Sequence, residues 1–277
     1  MTGGPAAPAL SQQGYDPAFF AELLVVEDRH FWFRARNYLI STLVERIARR
    51  LPPGYRVLEV GCGNGNVLRH LAKVCHAGTV VGMDLFAEGL GHARERAGCP
   101  VVQANAGCAP FRVGFDIVGI FDVLEHTPDD MQVLRDLHTL LAPGGVLLLT
   151  VPAGMELWSY FDEISHHYRR YRRADLEEKL RGAGFEVEFV THFMAAIYPL
   201  VRLVRALRKP GREGSGGTID AVRALRSEFT IAPVVNVFLT LLLQAEAVWV
   251  RSGKHLPFGT SLVAVARRPS TASQNRV

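Results

Sequence analysis

The chain has 277 residues, 48% of them apolar, and a net charge of +4 with its histidines counted as neutral. That is enough apolar material for one sizeable core plus a subdomain. Its four cysteines form no C-x-x-C pair and follow no secretory signal, so they read as reduced thiols of a cytoplasmic protein. No run of 18 uncharged apolar residues appears, which argues against a spanning helix. No dense basic face carries a reader motif, which argues against nucleic acid as a partner.

Residues 1–14, rich in Gly, Pro, Ala and Gln, read as a disordered start. From 15 to 50 apolar residues recur at helical spacing, a predicted N-terminal helical lid. Between its two helices stands His30-Phe31-Trp32-Phe33-Arg34-Ala35-Arg36. One reading is helix packing with snorkelling arginines. The other is a lid in which Trp32 meets a ligand and Arg36 or Arg34 pairs a carboxylate.

At 57–66 the chain reads Val-Leu-Glu-Val-Gly-Cys-Gly-Asn-Gly-Asn. An apolar strand runs into three alternating glycines, Gly61, Gly63 and Gly65, and a helical pattern follows. Glycine lets such a turn close tightly and lets a ligand approach the backbone. Glu59, just ahead, can accept hydrogen bonds, while Cys62 is read as a small turn residue. Strands are predicted over 55–60, 79–84, 100–104, 115–121 and 145–151, with helices at 65–75, 86–97 and 128–141. This alternation predicts a parallel sheet covered on both faces, with ligands beyond the carboxyl ends of its strands. Asp84 ends the second strand, 23 residues after Gly61, where a carboxylate suits two ribose hydroxyls or caps a helix.

The spacing of Glu59, Gly61, Gly63 and Gly65 is E-x-G-x-G-x-G, which resembles motif I of class I S-adenosylmethionine (SAM)-dependent methyltransferases. Phe121-Asp122-Val123-Leu124-Glu125-His126 resembles that family's D-V-L-E-H stretch after the fourth strand, and Leu140 to Gly145 resembles its turn before the fifth. The resemblance covers about 57–151 and implies a Rossmann-like, seven-stranded, mostly parallel sheet. It also implies SAM as cofactor, held by Arg36, Glu59, Gly61, Cys62, Gly63, Gly65 and Phe121, with its ribose on Asp84. Its adenine is expected near Leu85, Asn105 and Ala106. The family usually has aspartate where Asn105 stands, so the adenine contact is expected without charge.

Tyr160-Phe161-Asp162-Glu163 and His166-His167-Tyr168-Arg169-Arg170-Tyr171 follow the fifth strand. This stretch reads either as a solvated basic loop or as a cleft segment. In the second reading Tyr160, Phe161, His167, Tyr168, Arg169 and Arg170 touch the acceptor, and the arginines clamp a phosphate. A hard cation such as Mg2+ joins them if the acceptor is a pyrophosphate. A helix over 175–183 and a strand over 185–191 follow, and the last strand is 260–267. In the family such closing strands form a hairpin; here a helical insertion or lid, 192–258, separates them. It holds a helix at 194–208 with Arg202, Arg205 and Arg208, a Gly-rich linker at 209–217 and an apolar helix at 233–250. Asn236, Gln244 and Glu246 interrupt that helix and argue against a membrane span. It reads as a core or homodimer helix, or as a face resting on a membrane surface. The core is thus expected at 51–191 and 259–268, and a disordered tail at 269–277.

Three functions are carried forward. In the first, the enzyme methylates a small apolar or amphiphilic acceptor, an isoprenoid (pyro)phosphate at carbon, with Glu163 taking the proton. In the second it O-methylates a quinone-like or secondary metabolite, with His126 or His166 as base. In the third it is a non-catalytic SAM-binding scaffold.

Overall fold

The computed structural model describes residues 19–112, 114–207 and 229–270. The expected disordered start, the 209–217 linker, Arg208 and residues 271–277 lie outside the described residues. Seven strands, β1 (Arg56–Val60), β2 (Thr79–Asp84), β3 (Val101–Gln103), β4 (Phe115–Phe121), β5 (Leu141–Pro152), β6 (Glu186–Phe193) and β7 (Ser261–Arg267), form one sheet. Their order is β3-β2-β1-β4-β5-β7-β6. The first five pair in parallel, and β7 runs antiparallel to both β5 and β6.

Strand side chains alternate between the two faces, and each face has its own core. Val57, Val146 and Leu148 pack with Leu39 of α2 (Phe31–Ala48), Leu71 of α3 (Leu68–Val74) and Ala93 of α4 (Ala87–Ala97). Leu58, Leu147 and Leu149 pack with Leu134 and Leu137 of α5 (Asp130–Leu140) and Leu176 and Leu180 of α7 (Arg173–Gly182). Both faces are therefore apolar, which is why these strands read as continuous hydrophobic runs.

The predicted break between the N-terminal helices falls earlier than expected. The first helix, α1 (Phe19–Val26), ends before His30, and Phe31 to Arg36 form the opening turns of α2. His30 caps that helix by accepting the Trp32 N–H at 3.3 Å. Burial pushes its imidazole down to about 4, so it stays a neutral acceptor.

The insertion contributes α8 (Tyr198–Leu207) and α9 (Pro233–Arg251). Among the described residues α9 is the one helix long and apolar enough to cross a membrane by length and composition. Yet Thr240, Leu243, Ala247 and Val250 bury one face of it, and Leu243, Ala247 and Val250 join the first core beside α2. Two of its polar interruptions, Asn236 and Glu246, have partners inside the fold. Asn236 accepts the Phe31 N–H at 2.7 Å and donates to the Arg29 carbonyl at 2.8 Å. Glu246 accepts the N–H groups of Ala195 and Ala196 at 3.0 and 3.2 Å. The outer face stays apolar and open: Phe238 and Leu241 are each 62% exposed, and Leu207 on α8 is 74% exposed.

Candidate active site

Beyond the carboxyl ends of β1, β2 and β4 lies a cavity of about 740 Å³, walled also by α1 and the first turns of α2. The glycine turn forms its floor. Gly61 sits at φ +74, and a Cβ there would overlap the Val123 side chain. The Gly63 N–H donates to Asp84 Oδ2 at 2.7 Å, and the Phe86 N–H donates to Asp84 Oδ1 at 2.9 Å. These bonds aim the carboxylate across the turn, and spare lone pairs remain for ligand hydroxyls. Gly65 (φ +76) serves packing instead: it does not line the cavity, and a Cβ would come 2.6 Å from the Ala93 backbone of α4.

Two buried side chains on this wall have unmatched polar atoms. Glu59 is 2% exposed and its Oε2 has no hydrogen-bond partner among the described residues. Burial pushes its carboxyl well above the usual carboxylate range, against the pull of Arg36. The Arg36 Nη1 donates to Asp122 Oδ2 at 2.6 Å, and its guanidinium stacks 4.7 Å from the Trp32 ring centre. Its Nε is buried without an acceptor among the described residues. An orphaned acceptor and an orphaned donor on one wall match the ammonium and carboxylate ends of an amino acid, so these residues fit SAM. Arg34 is exposed and does not line the cavity.

Leu85, Ala106 and Phe121 line the same space. Asn105 stands at its rim, where its Oδ1 already accepts the Gly107 N–H at 3.0 Å. Cys62 lines it too, but burial pushes its thiol far up, leaving it protonated and unreactive.

A second polar group faces the cavity. Glu125 and His126 come from a short turn after β4, and His167 and Arg170 from the segment after α6 (Tyr160–Ile164). The Glu125 carbonyl accepts the Tyr168 N–H at 2.8 Å, which ties the two segments together. Asp162 is fully buried; it holds His167 Nδ1 at 2.9 Å and accepts Arg170 Nε at 2.7 Å. Burial opposes its charge, but those bonds prevail and keep its carboxyl well below the usual range. The His126 and His167 rings meet edge to face, 4.6 Å apart. Burial, aided by His167, pushes His126 down to about 3, so its imidazole is neutral. Burial and Asp122 push the Glu125 carboxyl well up.

The expected acceptor segment is thus divided. Phe161, His167 and Arg170 line the cavity, as do Trp32 and His126. Glu163, His166, Tyr160, Tyr168 and Arg169 do not. Glu163 and His166 are exposed to solvent. Arg169 pairs with Asp130 at 2.8 Å, and the buried Tyr171 hydroxyl donates to the same carboxylate at 2.9 Å, so this half of the run is structural. Sequence reasoning passed over Asp122 and Glu125 as site residues, and weighed Asp162 only as a holder of a hard cation. The D-V-L-E-H stretch and the Asp-Glu pair before the histidines were the signals available.

Ion pairs hold the N-terminal lid in place. Glu27 and Asp28 pair with Arg96 of α4, both at 2.6 Å, and Asp28 also pairs with Arg69 at 2.5 Å. These ion pairs fasten the end of α1 over the cavity.

Residues 32–190 match a family model described as a methyltransferase domain. The chain is 32% identical over 165 residues to a Mycolicibacterium smegmatis protein that carries the name of an S-adenosylmethionine-dependent methyltransferase. That alignment covers 58% of this chain and spans 62% of the relative's length. It is 34% identical over 169 residues to a ubiquinone biosynthesis O-methyltransferase of Xanthomonas axonopodis pv. citri, covering 53% of this chain and 70% of the relative. In fold it resembles the Haemonchus contortus phosphoethanolamine N-methyltransferase 2 in complex with S-adenosyl-L-methionine. There the TM-score is 0.54 at 20% identity, over 82% of this chain and 51% of that one.

Proposed function

The chain belongs to the methyltransferase-domain family, the class I SAM-dependent methyltransferases, and on that premise we propose that it methylates a hydroxyl oxygen of a small apolar or amphiphilic acceptor. Bound SAM supplies a methyl group carried on a sulfonium sulfur. Glu59 and Arg36 hold the amino-acid end of the cofactor, and Asp84 takes its ribose. The acceptor's body lies along Phe33, Phe161, Ile197 and Val201, which line the same cavity. Rate comes chiefly from holding the two reactants in line within a dry site.

The observation that carries this reading is the pair formed by His167 and Asp162 beside His126 on the cavity wall. A carboxylate on Nδ1 fixes the ring and leaves Nε2 toward the cavity. That cluster faces the acceptor hydroxyl and eases the loss of its proton. The carbon-methylation route has less support. Glu163 is exposed outside the cavity, and Arg169 and Arg170 are spent on Asp130 and Asp162 rather than presented to a pyrophosphate. The need for Mg2+ falls with that acceptor.

The same reading extends to the outer faces of α8 and α9, which we assign to peripheral contact with an anionic lipid surface. Phe238, Leu241 and Trp249 are exposed there, and Lys254 Nζ stacks 3.9 Å from the Trp249 ring centre. Amphipathic aromatics beside basic residues suit a headgroup boundary, and such a surface is where an amphiphilic acceptor resides.

The test incubates the protein with methyl-labelled SAM and a panel of prenylated phenols, other apolar alcohols and a prenyl pyrophosphate. An O–CH3 product, lost in His167→Ala while SAM still binds, is the expected result. A new C–CH3 bond refutes the assignment in favour of carbon transfer. SAM binding without transfer to any acceptor favours the scaffold reading.

A further inference from the structure

We propose that Glu125, His126 and His167 bind a divalent transition-metal ion on the cavity wall. One ligand atom from each of the three lies within 4.8 Å of the others. Ligands sharing one such ion stand about 3–4 Å apart, so a closing of about 1 Å by side-chain rotation completes the set. Two imidazole nitrogens and one carboxylate oxygen suit ions of the zinc, cobalt, iron or manganese kind, whereas magnesium and calcium take oxygen donors.

Glu125 supplies an observation of its own. It is 1% exposed, lines the cavity, and its Oε2 has no hydrogen-bond partner among the described residues. The carboxylates around it are matched: Asp122 by Arg36 at 2.6 Å and Asp162 by Arg170 at 2.7 Å.

The surroundings already have the outer support that metal-bound histidines need. Asp162 holds His167 Nδ1 at 2.9 Å, which leaves Nε2 as the donor atom. His126 is steadied by a hydrogen bond with the Ser165 backbone. Adjacent residues in one tight turn supply Glu125 and His126, and the Tyr168 N–H on the Glu125 carbonyl brings His167 to them. Three protein ligands leave a coordination position open, as in catalytic rather than structural sites.

Ion binding stands on these residues alone. Only its role, acidifying the acceptor hydroxyl so that the proton leaves to solvent, rests on the O-methylation reading. The experiment strips the full chain with a chelator, titrates it with Co2+ alone and follows the visible d–d bands, with metal content measured after gel filtration. One Co2+ per chain, displaced by Zn2+, is expected. Binding weakens at least tenfold in Glu125→Gln and in His167→Ala, while the surface variant His76→Ala binds as before. Calorimetric SAM binding checks that each variant is folded. Absence of stoichiometric Co2+ from the unmutated chain overturns the proposal without any variant, as does binding that survives both substitutions. If chelated protein O-methylates at full rate and takes up no Co2+, the ion is refuted and O-methylation stands. If Co2+ binds but the methyl goes to carbon or nowhere, the ion stands and O-methylation falls.

Discussion

Replacing Gly61 with alanine separates two costs that the glycine turn avoids. The residue sits at φ +74, where a Cβ costs about 1–2 kcal/mol against the following carbonyl. The added Cβ also overlaps the Val123 side chain, and forcing an extra carbon into a packed site costs about 1–3 kcal/mol. Gly61→Ala is therefore expected to destabilise the fold by about 2–5 kcal/mol and to weaken SAM binding. Gly98 provides the control, because it has φ +65 and a Cβ added there would meet nothing within 4 Å. Gly98→Ala should cost only the backbone share, about 1–2 kcal/mol. Urea denaturation of Gly61→Ala, Val123→Ala and the double variant closes a thermodynamic cycle. Trimming Val123 should return about 1–3 kcal/mol of the Gly61→Ala loss. A coupling energy near zero, or a Gly98→Ala loss equal to that of Gly61→Ala, refutes the reasoning.

Acid should loosen the start of α2. Burial lowers His30 from 6.5 to about 4, so the unfolded chain takes up a proton that the folded chain refuses. Stability from this group is complete above pH 6.5 and is lost as pH falls toward 4, by about 3 kcal/mol in all. His30→Asn keeps a capping side chain without that proton and should flatten the stability profile across this window; an unchanged slope excludes the residue. Breaking the lid's fastening with Arg96→Ala leaves Glu27 buried without its cation. Hydrogen exchange over 19–26 should quicken and SAM affinity should fall at least fivefold; unchanged exchange would show that α1 is held by packing alone. For the lipid-facing assignment, the double variant Phe238→Glu, Leu241→Glu should keep its SAM affinity and lose co-sedimentation with anionic vesicles. Equal sedimentation by both proteins, or a change in oligomeric state instead, refutes the lipid contact.

The sequence by itself determined the sheet and one side of the cavity. Strands buried on both faces leave continuous apolar runs, and the turn after β1 needs backbone conformations that glycine supplies, so Glu59, Gly61, Gly63 and Asp84 announce themselves by local chemistry. The same rule misread Gly65, because a positive φ marks a glycine without saying whether a ligand or a neighbouring helix requires it. The run from Tyr160 to Tyr171 was legible as rich in chemistry but not as divided. Which residues turn inward depends on Asp130 and Asp162, and these capture Arg169 outside the cavity and Arg170 inside it. Only the tertiary structure joined Glu125 and His126 to His167, which follows them by some forty residues in the chain and meets them through backbone bonds at Tyr168 and Ser165. It also decided the long apolar helix. Composition allowed a core element, a subunit contact or a membrane face, and packing made it a core element on one side while leaving an apolar surface on the other. Local residue patterns record the periodicity of burial within an element; which buried polar groups find one another is fixed by contacts between segments far apart in sequence, and no short-range pattern encodes those.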